Sequence, residues 1–361
     1  MTDFIIGAGQ GGSRLAKTFS DTFMVPAIYL NLAGVDFQYL DVPKEDTFLI
    51  EAGGTGRDPE VGEEIAFMNR AKIEEFIYTR MPNTCERVLV TVGGGGGSGS
   101  GMVYTILNLL IKEKIDVVLV FTIPQRTEGI PAKPNALKTL NRLIGKYLVK
   151  QKIGLLCIDN DFCIERYGTG NSSGDMTYWG NVNLGLSRSL LKFWYLTNLP
   201  RFANWVDVNS GFGALDEKEF LRILYMKGGF LDLREFSCKQ PSFEEVDNAK
   251  FRSLVFGNLD IATTKEYIVT VGFPERLRGD SRVPEFTEAI FNKLSRLTKT
   301  AFVLRSSYFN KKLSEIRVSV LMAGLIKSHG LKKITNQTVK DVAKYQAKGG
   351  IEKLDLTGLD F

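Results

Sequence analysis

Short apolar runs punctuate the first half of the chain, at 4–6 (FII), 27–32 (AIYLNL), 87–92 (RVLVTV), 116–122 (DVVLVFT) and 154–158 (GLLCI). Each predicts a short buried strand. Stretches with helical spacing lie between them, including 60–80 and 102–114. Apolar strands alternating with helices imply an open parallel α/β sheet. A longer amphipathic pattern covers 176–198, with Leu184, Leu186, Leu190, Leu191 and Trp194 on it. It predicts one long helix that ends near Pro200. A second α/β region follows, with strands at 267–273, 300–304 and 316–321, a helix at 284–297 and a less regular helical pattern at 341–348. From Gly350 onward the periodicity is lost, and the segment reads as a tail.

Composition narrows the class. The 361 residues are 44% hydrophobic and 24% charged, which suits a globular chain of two domains with real cores. No apolar run reaches the ~18 residues of a membrane span, and the N-terminus has no signal-peptide pattern. The expected location is the cytoplasm, with no membrane partner. Cys85, Cys157, Cys163 and Cys238 show no CxxC spacing and read as reduced thiols. His329 is the only histidine, which removes Ser-His-Asp triads and histidine metal clusters. A net charge of +5 falls short of the dense basic stripe of a DNA reader.

The chemistry concentrates in glycine. Residues 93–101 read GGGGGSGSG, directly after a strand and directly before a helix. Glycines let phosphate oxygens approach the backbone, and N–H groups at a helix start attract anions. A flexible linker would not sit between a buried strand and a helix. A P-loop needs GxxxxGK[ST], and no lysine follows these glycines. Backbone dipoles and a metal ion must then neutralise the phosphates. A second glycine loop, 7–12 (GAGQGG), satisfies GxGxxG. A dinucleotide-binding Rossmann oxidoreductase is the competing reading. That reading expects an acid at the end of the second strand, where Leu30, Asn31 and Leu32 stand, and leaves the other glycine loop without a job.

Residues 95–101 (GGGSGSG) resemble the tubulin/FtsZ signature GGGTGSG, with Ser98 in place of threonine. The resemblance runs over roughly 1–325 and ends on 317–325 (RVSVLMAGL), similar to RVTVIATGL of FtsZ. It implies a Rossmann-like GTPase domain over 1–175. A central helix and connection occupy 176–208, a smaller α/β activation domain 209–325, and a C-terminal helix and tail 326–361. It implies that Gly95, Gly96, Gly97, Ser98, Gly99 and Ser100 cradle the phosphates of GTP or GDP. Gly9, Gln10, Gly11 and Arg14 would touch the nucleotide from the first loop. The segment 52–59 resembles the γ-phosphate loop and contributes Gly54, Thr55 and Gly56. Glu128 would accept ribose hydroxyls. Lys133 stands near the place of an arginine that FtsZ carries there.

Asn160 and Asn183 would read guanine, since an asparagine offers both a donor and an acceptor. Trp179, or Tyr178 one register away, would stack on the base. In 213–220 (GALDEKEF) the resemblance places Asp216 and Glu219 as catalytic acids that reach the nucleotide of the next subunit, with Mg²⁺ on the leaving phosphates. The local alternative makes Asp216 a helix N-cap and Glu219 its capping-box partner. Glu217 is an extra acid without an assigned role. The implied protein is a head-to-tail filament with polymerisation-activated GTP hydrolysis. Its lysine-rich C-terminus is similar to that of TubZ-type plasmid and phage tubulins. That similarity implies a DNA-binding adaptor on a centromere-like site as partner. An FtsZ-like role in cell division or cell shape is the alternative.

Overall fold

The computed structural model describes residues 3–37, 40–50, 53–129, 131–167, 175–197, 207–208, 214–257, 259–299, 302–326 and 329–347. The N-terminal half is built on β1 (Phe4–Ala8), β2 (Ala27–Asn31), β3 (Thr47–Leu49), β4 (Arg87–Gly93), β5 (Asp116–Ile123) and β6 (Gly154–Asp159). They are mutually parallel, in the order β3-β2-β1-β4-β5-β6. Successive residues of a strand point to opposite faces. Every residue of β1, β2 and β6 is buried, so both faces of the sheet are covered.

The helices that cover it are α1 (Gly9–Phe23), α2 (Pro59–Met68), α3 (Arg70–Arg80), α4 (Gly97–Lys112), α5 (Ala132–Leu143) and α6 (Asn160–Tyr167). The single helix expected over 60–80 is two. Asn69 leaves helical geometry at φ −100° and ψ 14°, and its Nδ2 donates to the Ile65 carbonyl. Helix α4 is buried nearly all round from Gly97 to Leu110, the mark of a helix inside a domain.

The long helix α7 (Asp175–Thr197) agrees with the expected span. After it come β7 (Asp207–Val208), α8 (Glu217–Leu224), β8 (Gly229–Cys238), α9 (Phe243–Asp247) and β9 (Arg252–Ser253). Strands β10 (Glu266–Pro274), β11 (Phe302–Asn310) and β12 (Ile316–Leu325) complete the sheet, with α10 (Arg282–Thr298) and α11 (His329–Gln346). Helix α10 buries Phe286, Ile290, Phe291 and Leu294 along one stripe.

Sequence periodicity does not mark β8, yet β8 joins the two halves. It pairs parallel with β6 and antiparallel with β12, so one sheet runs through the chain. Its Asp232 is fully buried and accepts from Arg234 Nε at 2.7 Å and Ser253 Oγ at 2.6 Å. Burial raises the Asp232 carboxyl pKa, and the Arg234 guanidinium opposes the shift.

Helix α11 starts well before the expected 341–348 pattern. Its buried side is mostly small or polar (Gly330, Leu331, Thr335, Thr338, Val342), so it leaves little apolar periodicity to read. An ion pair of 2.8 Å between Asp341 and Arg126 ties it to the N-terminal half. The tail from Gly350 lies outside the described residues. Among the described residues, no helix is long and apolar enough to cross a membrane.

Candidate functional site

Parallel strands end on one edge, so the segments that follow β1, β4, β5 and β6 gather there. The strand order reverses between β1 and β4, the switch point at which open α/β sheets bind ligands. A cleft of about 580 Å³ opens at this edge, a volume typical of small-molecule sites.

Most of the expected nucleotide contacts line this one cleft. Gly9, Gln10, Gly11 and Arg14 come from the start of α1, and Gly54, Thr55 and Gly56 from the loop before α2. Gly95, Gly96, Gly97, Ser98 and Gly99 come from the start of α4, and Glu128, Asn160 and Asn183 from the far wall. The side chains of Trp179 and Tyr178 lie outside the described residues.

The floor of the cleft is two helix N-termini. Helices α1 and α4 have no side-chain cap, with Ala8 and Gly96 at their N-cap positions, and no acid in their first turns. Their first N–H groups are therefore free of the usual intrahelical and capping partners. The two glycine loops interlock, and this close packing is the role the Rossmann reading left unfilled. A Cβ on Gly9 would lie 2.7 Å from the Gly99 nitrogen, and Gly9 sits at φ +70°. A Cβ on Gly97 would lie 2.2 Å from Thr55 Oγ1 and 2.5 Å from the Asp58 carbonyl oxygen, so the 55–58 turn rests on the first turn of α4. Asn31, where a Rossmann ribose acid would stand, accepts from the Leu32 and Ala33 N–H groups.

One expected contact, Ser100, and Lys133, near the place of the FtsZ arginine, are employed otherwise. Ser100 is fully buried, and its Oγ donates to the Gly94 carbonyl at 2.8 Å. It braces the loop from behind and does not line the cleft. Lys133 donates to Asp161 at 2.5 Å and is likewise not among the lining residues. The neighbouring Asp159 is buried, which raises its carboxyl pKa, while the Lys133 charge pulls it down. Glu128 is exposed at the cleft, with Oε1 accepting from the Gln125 N–H at 2.8 Å. Arg57, which no motif marks as a contact, lines the cleft as well.

Asp216 and Glu219 lie elsewhere. Asp216 is the N-cap of α8, accepting from the Glu219 N–H at 2.9 Å. Neither lines the cleft. Helix α8 borders a shallow depression with Arg87 and Asp116, the first residues of β4 and β5. It therefore sits at the opposite end of the parallel strands from the cleft. Strand β4 spans seven residues, roughly 20 Å at about 3.3 Å per residue.

Two uncapped helix starts, interlocked glycine loops and no loop lysine define a nucleotide-binding α/β protein outside the P-loop class. Residues 4–166 match the family model "Tubulin/FtsZ family, GTPase domain", and this part of the chain is a GTPase domain of that family. No curated protein matches the sequence.

Solved structures with the same fold include a GTPγS-form protofilament of TubZ from Bacillus thuringiensis serovar israelensis. It is 18% identical, with 96% of this chain and 93% of that one covered and a TM-score of 0.78. CetZ2 from Haloferax volcanii, as a GTPγS-bound protofilament, is 19% identical with 96% and 100% covered and a TM-score of 0.72. An empty FtsZ dimer from M. jannaschii is 18% identical with 90% and 88% covered and a TM-score of 0.61. The tubulin/FtsZ fold therefore extends through the chain beyond the GTPase domain.

Proposed function

We propose that the cleft binds GTP and that copies of the chain stack head to tail, each offering Asp216 and Glu219 to the nucleotide of its neighbour. One observation carries the reading: the paired acids and the cleft lie at opposite ends of the same parallel strands. A chain so built does not bring its own acids to its own nucleotide. A second copy stacked along the strand direction does. Hydrolysis then waits for assembly. The capping role of Asp216 is compatible with this, because it fixes the helix turn that presents Glu219.

Magnesium fits the same cleft. Among the described residues, no three of His, Cys, Asp and Glu cluster as a metal cage. The hydroxyls of Thr55 and Ser98 and the Gln10 amide are neutral donors lining the cleft. Such a set suits an ion that reaches the protein through phosphate oxygens and water. Bound that way, magnesium would neutralise charge on the phosphates.

Electron microscopy with GTP and with a slowly hydrolysed analogue, run beside phosphate release, tests the reading. Filaments are expected with both nucleotides, with phosphate release only above the concentration at which filaments form. Absence of filaments with either would overturn it.

The finer reading is that the filament segregates plasmid or phage DNA through a DNA-binding adaptor. Helix α11 supports it, since Lys332, Lys333, Lys340 and Lys344 are all exposed while the opposite side is packed. A relative of the same fold, 17% identical, is described as type III plasmid segregation TubZ. Deleting the gene from its replicon should raise the loss rate per generation. An unchanged loss rate would favour a role in cell division or cell shape.

A further inference from the structure

Five described non-glycine residues have positive φ: Met24, Arg57, Lys114, Gln151 and Lys299. Four of them follow the end of a helix, where the left-handed conformation is the ordinary way to stop. Arg57, at φ +67°, does not. It lies in the loop ahead of α2, inside the 55–58 turn that packs on the first turn of α4. An L-residue there is disfavoured and persists only where its surroundings impose the conformation.

Both ends of Arg57 are fixed. Its carbonyl accepts from Asn135 Nδ2 at 2.9 Å, and its Nη1 donates to the Glu128 carbonyl at 2.8 Å. The side chain thereby crosses from the 53–58 loop to the Arg126–Glu128 turn on the far wall. A guanidinium carries five N–H donors. The others of Arg57 have no partner among the described residues. Only two cationic residues line the described cleft, Arg14 on α1 and Arg57. Arg57 is the one whose loop rests on the first turn of α4, where the phosphates are expected.

We propose that Arg57 binds the terminal phosphate of GTP and supplies from the 53–58 loop the positive charge that the glycine run lacks. This rests on the GTP-binding reading of the cleft. The Nη1 bond to Glu128 holds the guanidinium plane across the mouth, and the remaining donors face the γ-phosphate oxygens. Arg57 therefore separates triphosphate from diphosphate: GDP brings no group to those donors.

The test uses full-length protein below its assembly concentration, with GTP and GDP titrated separately in magnesium buffer. A thermal melt of each variant checks the fold. For Arg57→Ala, the loss of charge-assisted hydrogen bonds should weaken GTP about 10–100-fold, with less than about 3-fold on GDP. Arg57→Lys keeps the charge without the fork, and it should recover part of the GTP affinity. A purely structural latch would move both nucleotides together. Equal weakening of GTP and GDP, or no change in either, would overturn the assignment. Wild-type protein that binds neither nucleotide would overturn the GTP reading first, and this one with it.

Discussion

Gly96→Asp abolishes nucleotide binding and leaves the chain folded. Gly96 is the N-cap of α4 at φ −100° and ψ 154°, extended backbone that any residue adopts. A Cβ there meets nothing within 4 Å. A side chain at this position therefore projects over the first turn of α4 into the cleft. Aspartate is among the best N-cap residues, accepting from the free N–H groups two and three residues on. Its carboxylate takes the place of a phosphate and repels those that remain. Like charges brought together in a binding site cost several kcal/mol, so GTP and GDP affinity should each fall at least about 1000-fold. The helix gains a cap, so the melting temperature should hold or rise.

The control is Gly99→Ala, whose Cβ would lie 2.6 Å from the Ala8 carbonyl oxygen and must push the interlocked loops apart. Calorimetric titration and a thermal melt on both variants separate the two roles of glycine within one run. Gly96→Asp protein that still binds GTP would remove the start of α4 as the phosphate site.

The site was legible in the sequence where its residues are local. Five short segments carry almost every lining residue; four follow a strand that its own apolar run announces, and the fifth, 54–57, follows β3, a three-residue strand without such a run. Position in space was legible only through the parallel sheet, which forces those strand ends to one edge. The misses have physical causes. Strand β8 was hidden because Asp232, Arg234 and Glu235 interrupt its apolar run; the fold neutralises the first two by pairing them. Helix α4 begins at Gly97, inside what reads as loop, because tight packing of the 55–63 segment against Gly97 and Gly101 overrides the weak helix propensity of glycine. Lys133 and Ser100 looked available because nothing local shows that Asp161 and the Gly94 carbonyl occupy them. Arg57 was passed over for the converse reason, since its reach to Glu128 spans 71 positions of sequence.

Glu219→Gln should uncouple assembly from hydrolysis. Glu219 is partly exposed on the first turn of α8, at the strand ends remote from the cleft. Its loss leaves nucleotide binding untouched, and filaments should form with GTP at wild-type mass. Removing a group that orients and deprotonates attacking water costs about 10²–10⁴-fold, so phosphate release per filament subunit should fall by that factor. Asp216→Ala is the less clean variant, since the lost cap also costs about 1 kcal/mol of helix stability. Mixing decides whether the acid acts across the interface. Glu219→Gln protein holds GTP but lacks the acid, while Gly96→Asp protein keeps the acid but cannot hold GTP. Each Gly96→Asp subunit that docks on a Glu219→Gln neighbour rebuilds one complete site. The mixture should therefore release phosphate faster than the two variants measured apart. A mixture no faster than their sum counts against completion in trans, and wild-type turnover by Glu219→Gln filaments removes Glu219 from the reaction.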